Sequence, residues 1–171
     1  VYFRAGYSPG DFPDEVSCSA RRMLEASSAV LVPEASMQLA GTKKIQQVLA
    51  SSDILREFVP ESVADQLKAY FANMFGLEEE VEGRTAREFL EEHAEQYVLK
   101  PQREGGGNNV YGAEIRNFLT SLPTSEDRAW VAMRRIEAET TESLLVVKEQ
   151  AQPYQSISEL GIFGLLRAQS G

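Results

Sequence analysis

The pattern of apolar and polar residues predicts helices in the first two-thirds of the chain. The clearest helical stretch covers residues 61–75, where apolar side chains recur at the three- and four-residue intervals of one helix face. Asp14, Thr42 and Thr85 are residue types suited to N-cap positions. Further helices are predicted over residues 14–29, 43–50, 85–95 and 111–122, with a short one between 52 and 60. Three aromatic residues of the clearest helix are expected in the core: Tyr70, Phe71 and Phe75.

Short apolar runs predict strands, mainly near the end of the chain. Residues 1–3 indicate the end of a buried strand, and residues 97–99 indicate a strand that leads to Lys100. Four glutamates within residues 77–83 favour a solvated turn. β-rich segments cover residues 130–136, 143–148, 154–160 and 162–168, the last three as an antiparallel sheet beside the helices. The predicted fold class is α+β, with a helical first two-thirds followed by antiparallel strands.

Composition narrows the class of protein. The 171 residues are 43% hydrophobic and 25% charged, which suffices for a sizeable core in one or two domains. A balance of 17 Lys and Arg against 26 Asp and Glu gives a net charge of −9 and argues against nucleic acid as a partner. Cys18 is the single cysteine, so no internal disulfide or zinc spacing is expected. The sequence has no apolar run of membrane-spanning length, and its first residues look like the middle of a strand. We therefore expect a cytoplasmic fragment.

Residues 100–112, KPQREGGGNNVYG, carry the densest chemistry of the chain. Three glycines without a Cβ let backbone N–H groups approach an anion closely, and Lys100 and Arg103 would neutralise a phosphate. Glu104 suits Mg²⁺, which proteins hold through one or two carboxylates and phosphate oxygens. The predicted helix 111–122 would also direct its first N–H groups at the anion. The segment fits neither a P-loop nor a G-x-G-x-x-G motif, and a flexible linker is the alternative.

Four blocks give the chain a resemblance to a known family. FRAGY lies at residues 3–7, QLAGTKK at 38–44, KPQREGGGNN at 100–109 and SELGIFG at 158–164. In this content and order the chain resembles the eukaryotic-type glutathione synthetases of the ATP-grasp superfamily. The resemblance covers all 171 residues, which look like a middle-to-late portion of a longer family chain.

The resemblance implies an ATP-grasp architecture, in which nucleotide lies between two α+β parts and a mobile lid carries the glycine-rich loop. Residues 1–39 would close a substrate-binding parallel-sheet region, and residues 40–73 would form a helical body segment near the nucleotide. Residues 74–171 would form the lid and ATP-binding region, with the glycine-rich loop at 100–112.

The resemblance also implies roles for individual residues. Lys43, Lys100 and Glu104 would be catalytic, with Glu104 as the metal ligand, whereas Lys44 would point elsewhere because adjacent helix residues diverge by about 100°. The substrate-binding residues would be Arg4, Ala5, Gly6 and Tyr7. The ATP-binding residues would be Lys43, Lys100, Pro101, Gln102, Arg103, Glu104, Gly105, Gly106, Gly107, Asn108, Asn109, Tyr111, Met133, Arg134, Arg135, Ile136 and Glu159. Residues 133–136 would pair with adenine through the main chain.

The implied reaction is ATP-dependent ligation of γ-glutamylcysteine and glycine to glutathione through an acyl phosphate, with Mg²⁺, in a homodimer. The isolated chain is expected to be inactive or nearly so. Arg134 departs from the family, since some members have an acidic residue there. Two other readings stay open: a nucleotide-binding or regulatory relative without catalysis, and an interaction module whose glycine loop is only a hinge.

Overall fold

A computed structural model describes residues 1–6, 8–102 and 106–164 of the chain. The chain divides into two units, Val1–Arg135 and Ile136–Gly171, which are described separately. Within the described residues, helices dominate up to residue 68 and antiparallel strands follow, mixed with two more helices, so the predicted α+β class is confirmed. No helix in the described ranges is both long and apolar enough to cross a membrane.

The helices of the first unit are short. Their bounds are α1 Glu15–Glu25, α2 Ala35–Ala40, α3 Lys43–Leu49, α4 Ser52–Leu55, α5 Glu61–Lys68, α6 Ala86–His93 and α7 Glu114–Ser121. Short 3-10 turns cover Pro9–Asp11, Ala94–Gln96, Gly106–Asn108 and Thr124–Ala129.

Helix α1 begins where the sequence predicts and ends earlier. The Asp14 carboxylate accepts the Ser17 N–H at 2.7 Å, and the Asp14 N–H donates to Ser17 Oγ at 3.4 Å, which together form a capping box. The helix ends at Glu25 because the Ser27 hydroxyl donates to the Leu24 carbonyl at 2.7 Å and so competes with helical hydrogen bonding. The prediction of a helix to residue 29 is therefore four residues too long.

The predicted helix over residues 61–75 is wrong in its second half. Helix α5 ends at Lys68, and strand β1, Met74–Gly76, takes the place of the last turn. Phe75 is buried, as predicted, but it lies in a strand, whereas Tyr70 is 85% exposed and Phe71 is 41% exposed. Two of the three aromatic side chains expected in the core are thus outside it.

A four-stranded antiparallel sheet with strand order β1-β6-β4-β5 forms the centre of the first unit. Its strands are β1, β4 Tyr97–Pro101, β5 Val110–Tyr111 and β6 Trp130–Arg134. In the register, Ala132 is paired with both Phe75 and Leu99, and Leu99 is paired with Val110. Because paired side chains lie on the same face of a sheet, these four residues line one face.

That face packs on helices α6 and α7 and forms the main core. Leu90 and Ile115 from the two helices are fully buried against Leu99 and Ala132 of the sheet. The Thr85 hydroxyl caps α6 in a capping box with Glu88, as the sequence predicts. Helix α7 begins at Glu114 and not at residue 111, because residues 110 and 111 pair with β4 as a strand.

The segment predicted as a solvated turn is more ordered than expected. Leu77 is 3% exposed and its N–H donates to the Trp130 carbonyl at 3.3 Å. Strands β2, Glu80–Val81, and β3, Arg84–Thr85, then form a small antiparallel pair before α6. The side chains of Glu78 and Glu79 also accept hydrogen bonds, which are described below.

The ends of the chain differ from the prediction. Near the start, a parallel bridge joins Tyr2 to Val32, which agrees with the end of a strand there, but Tyr2 is 73% exposed, so the expected burial is wrong. The second unit contains a hairpin of β7, Thr141–Val147, and β8, Gln150–Ser156, which confirms an antiparallel pair there. The strand predicted over 162–168 is absent from residues 162–164, and the others of that segment lie outside the described ranges.

Candidate functional site

The glycine-rich segment connects two neighbouring antiparallel strands, β4 and β5, in the first unit. A 3-10 turn covers Gly106–Asn108, and open space surrounds the position that a Cβ on Gly107 would take. The Asn109 side-chain amide donates to the Tyr111 hydroxyl at 3.0 Å, so these two predicted ATP-binding side chains also contact each other. The remaining predicted residues of the segment, Arg103, Glu104 and Gly105, lie outside the described residues.

Three predicted nucleotide-binding side chains share the sheet face opposite the main core. In the register, Val98 is paired with both Met133 and Tyr111, and Lys100 follows two residues after Val98 on the same strand. Because side chains alternate along a strand, Lys100, Tyr111 and Met133 all project from this second face. Helix α3 contacts strands β1 and β6 of the same sheet.

A cleft of about 550 Å³ brings together three of the four blocks that carry the family resemblance. Gly6 comes from the first block, Lys43 from the second and Gln102 from the third. Among the described lining residues, Lys43 and Arg21 are cationic and none is Asp or Glu. Positive charge in a cleft attracts an anionic ligand, and here it comes mainly from Lys43, because Arg21 also pairs with Glu25, which lies outside the lining. An adjoining hollow of about 720 Å³ shares Gln102 with this cleft and extends it to Asn108. Its lining also includes Lys44 and one carboxylate, that of Glu126.

The two adjacent lysines at the start of α3 have different surroundings. Lys43 lines the cleft and forms no ion pair within the described part of the chain. Lys44 Nζ donates to Glu78 Oε1 at 2.7 Å and to Glu79 Oε1 at 3.2 Å. The prediction that Lys44 points away from the position of Lys43 agrees with this geometry.

Side-chain amides tie the three blocks to one another. Gln38 Nε2 donates to the Gly6 carbonyl at 2.7 Å, which links the first block to the second. The Lys44 backbone N–H donates to Gln102 Oε1 at 3.0 Å, which links the second block to the third. These contacts span 32 and 58 residues of sequence. The walls of the cleft are therefore held by direct hydrogen bonds between distant segments.

The predicted substrate loop lies against a residue that the sequence analysis missed. Arg4 and Ala5 are exposed, Gly6 lines the cleft, and Tyr7 is outside the described residues. The Arg21 guanidinium lies 3.8 Å from the ring centroid of Phe3 and 2.6 Å from Glu25 Oε1, and it also lines the cleft. Its spacing to Glu25 is that of an ordinary helical ion pair, so the sequence offers no sign of this role.

Two backbone N–H groups of the predicted adenine-binding segment donate hydrogen bonds to carbonyls of the protein itself. The Arg134 N–H donates to the Asn73 carbonyl at 2.9 Å, and the Arg135 N–H donates to the Gln96 carbonyl at 2.8 Å. Base pairing with the main chain would therefore use other groups of residues 133–136. Both arginine side chains are exposed. Ile136 and Glu159 belong to the second unit.

No metal centre is formed by the described residues themselves. Within residues 1–6, 8–102 and 106–164, no three His, Cys, Asp or Glu side chains converge to hold an ion. Glu104, the predicted ligand, stays a prediction.

The sheet, its glycine-rich hairpin and helix α3, which carries Lys43 and contacts the sheet, define an α+β fragment of the ATP-grasp type. Residues 11–170 match the family model described as eukaryotic glutathione synthase, ATP binding domain. The chain belongs to this family.

Several curated relatives are similar over nearly the whole chain. Glutathione synthetase from Mus musculus is 45% identical over 170 residues, which cover 96% of this chain and 35% of the mouse protein. The chloroplastic glutathione synthetase of Solanum lycopersicum is 41% identical over 169 residues, 96% of this chain and 30% of the tomato protein. The glutathione synthetase large chain of Schizosaccharomyces pombe is 36% identical over 166 residues, 97% of this chain and 33% of the yeast protein.

The fold is also similar to a solved structure. A glutathione synthetase-like effector from Globodera pallida, in its apo form, matches with a TM-score of 0.54 and 16% identity over 78% of this chain and 27% of that protein. This likeness concerns the fold alone. The chain spans about a third of the length of the curated relatives that it matches.

Proposed function

We propose that this chain is the part of a glutathione synthetase that binds ATP with Mg²⁺ through the cleft at Lys43 and the face of Lys100. The observation that carries the proposal is the convergence of Gly6, Lys43 and Gln102 on one cleft without a lining carboxylate among the described residues. An unpaired ammonium group in a partly enclosed site is suited to a phosphate. The whole-protein reaction would be ligation of γ-glutamylcysteine and glycine to glutathione. The homodimer and the cytoplasmic location stay predictions.

The proposed chemistry is activation of a carboxylate followed by amide formation. The cysteinyl carboxylate of γ-glutamylcysteine attacks the γ-phosphorus of ATP, so that an acyl phosphate forms and ADP leaves. The glycine amine then attacks the acyl carbon, inorganic phosphate leaves, and the amine loses a proton to give the new amide. A free carboxylate is a poor electrophile, and the acyl phosphate supplies the leaving group that amide formation needs.

The residues of this chain would act by positioning and by charge neutralisation. Lys43 and Lys100 would offset the negative charge of the transferring phosphoryl group, and the amides of Gly106 and Gly107 would donate to its oxygens. Mg²⁺, held by Glu104 and the nucleotide, would supply Lewis-acid charge at the phosphates. Arg4 is exposed and without an ion pair in the described ranges, so its guanidinium could grip a substrate carboxylate.

Calorimetric titration of the chain with ATP and MgCl₂ tests the proposal. We expect saturable binding at one site, which Lys43→Met weakens by about tenfold or more, because a charge-assisted hydrogen bond contributes about 1.5–3 kcal/mol. Lys68→Met is the matched control, since Lys68 is an exposed lysine of α5 that lines neither cavity. Equal affinities for the two variants would contradict the assignment.

An activity assay separates the fragment from a complete enzyme. With γ-glutamylcysteine, glycine, ATP and Mg²⁺, we expect the isolated chain to release little or no ADP, because about two-thirds of each relative's length lies outside the match. Robust turnover would refute this expectation.

A further inference from the structure

Lys44 is the centre of a polar cluster on the side of α3 that faces the sheet. Its ammonium bonds both Glu78 and Glu79, and Gln47 Nε2 donates to the same Glu79 Oε1 at 2.7 Å. Burial lowers the pKa of Lys44, but the hydrogen bonds and charges of the two glutamates outweigh burial and raise it above its ordinary value. Lys44 is therefore a charged ammonium group that is paired with carboxylates of the protein itself.

Gly76 makes room for this cluster at the end of β1. A Cβ on Gly76 would lie 2.2 Å from Glu78 Oε2 and 2.9 Å from Glu78 Oε1, so any larger residue would displace the carboxylate that Lys44 bonds. The Glu79 backbone is fixed at both ends, since its N–H donates to the Gly76 carbonyl at 3.1 Å and its carbonyl accepts the Ala86 N–H at 3.0 Å. The carboxylates thus project from an anchored turn.

Gln102 supports the same helix at its first turn. Thr42 occupies the N-cap position but makes no side-chain capping bond, because its hydroxyl donates to the Leu39 carbonyl at 2.8 Å. Gln102 Oε1 instead accepts the Lys44 N–H, one of the amides that a helix start leaves without an internal partner. A residue near the start of the glycine-rich segment therefore caps the helix that carries Lys43.

We propose that Lys44 and Gln102 are positioning residues that hold α3 in the orientation in which Lys43 faces the cleft. Adjacent helix residues diverge by about 100°, so fixing Lys44 on Glu78 and Glu79 fixes the direction of Lys43 as well. The bond from Gln102 couples this orientation to the start of the glycine-rich segment. The inference rests on the proposed function, because its expected consequence is tighter binding of the ATP phosphates.

The double variant Glu78→Gln/Glu79→Gln distinguishes positioning from simple electrostatics by the sign of its effect. Removal of two negative charges near a polyanion site should strengthen ATP binding if charge alone matters. Positioning predicts the opposite, an affinity for ATP and Mg²⁺ about three- to tenfold weaker, because the clamp on α3 is lost. Affinity that rises or stays unchanged in the calorimeter would overturn the proposal.

Amide hydrogen exchange provides a readout that needs no nucleotide. In the free chain, we expect the amides of α3 to exchange faster in the double variant and in Gly76→Ala, whereas Lys44→Arg should retain most of the protection. Arg56→Met is the matched control, because Arg56 also bonds a carboxylate, Asp65 at 3.1 Å, but lines neither cavity. Unchanged exchange in α3 would overturn the positioning role.

The calorimetry and the hydrogen exchange together distinguish failure of the proposed function from failure of the positioning role. If the unmodified chain does not bind ATP while exchange in α3 responds as expected, the proposed function falls and the support of α3 stands. If the chain binds ATP but the double variant alters neither exchange nor affinity, the positioning role falls and the proposed function stands.

Discussion

Arg87→Met should destabilise the first unit more than the same substitution of an exposed arginine. The Arg87 Nε lies 3.2 and 3.1 Å from the two carboxylate oxygens of Asp127, and Nη2 bonds Asp127 Oδ1 at 2.5 Å. Nη1 and Nη2 also donate to the carbonyls of Leu119 and Leu122 at 2.7 and 2.9 Å. One guanidinium therefore joins α6 to the end of α7 and to the following 3-10 turn.

The expected loss of folding stability follows from the polar groups that Arg87→Met leaves without a partner. The Asp127 side chain is 12% exposed and that of Arg87 is 21% exposed, so the variant strands a nearly buried carboxylate and two helix-end carbonyls. Breaking one side of a buried ion pair costs about 3–5 kcal/mol, and partial exposure places this case near the lower limit, about 3 kcal/mol. For a chain of this size the melting temperature should fall by about 6–12 °C.

Tryptophan fluorescence during heating measures this loss in the correct unit. Trp130 is the single tryptophan of the chain, and it packs on Phe118 with ring centroids 4.6 Å apart. Arg116→Met is the control, because Arg116 of α7 is 41% exposed, pairs with the exposed Glu95 carboxylate and donates to the Glu91 carbonyl at an exposed site, so its loss should cost about 1 kcal/mol or less. Equal melting temperatures for Arg87→Met and Arg116→Met would refute the reasoning.

Two further predictions concern the elements around the sheet. Gly112→Ala should lower the melting temperature, because φ is +50° at Gly112 and an added Cβ would lie 3.0 Å from Glu95 Oε2; Gly107→Ala, with open space around it, should change it less. Hydrogen bonds from Thr85 lower the pKa of Glu88 in the folded state, so their stabilisation is complete above the ordinary carboxyl pKa and is lost as pH falls through the lowered value. The melting temperature of Thr85→Ala should therefore fall less than that of the unmodified chain on acidification from pH 6, and parallel curves would contradict this linkage.

Local sequence determinants predicted the starts of α1 and α6. Asp14 and Thr85 are short polar residues before apolar-periodic stretches, and both form capping boxes at the expected positions. Strand β4 also begins at Tyr97, as its apolar run predicts. These features depend on neighbours within four residues, which a single sequence displays directly.

Long-range pairing explains where the prediction fails. Met74 and Phe75 continue the helical spacing of the preceding residues, but strand pairing with β6 fixes them in the sheet, and periodicity cannot distinguish these outcomes for short apolar runs. Glu78 and Glu79 look like solvated charges because their partner, Lys44, lies more than thirty residues away. Contacts of this length appear only once the fold brings the segments together.

The candidate site also combines features that the local sequence predicts with features that depend on long-range contacts. The glycine-rich run and the lysine pair are visible in the sequence, and their chemistry predicts an anion site. That Lys43 faces the cleft and Lys44 faces two carboxylates depends on how α3 lies on the sheet. Arg21 could not be found from the sequence, because its contact with Phe3 joins segments that the pattern leaves unrelated.

Protection of individual lysines from an amine-reactive label tests the central claim most directly. The chain is labelled with and without ATP and Mg²⁺, and mass spectrometry compares the modification of Lys43 with that of Lys68. We expect ATP to protect Lys43 and to leave the exposed Lys68 unchanged, and AMP, which lacks the β- and γ-phosphates, to protect Lys43 much less. Labelling of Lys43 that is the same with and without saturating ATP would contradict a phosphate site at this cleft.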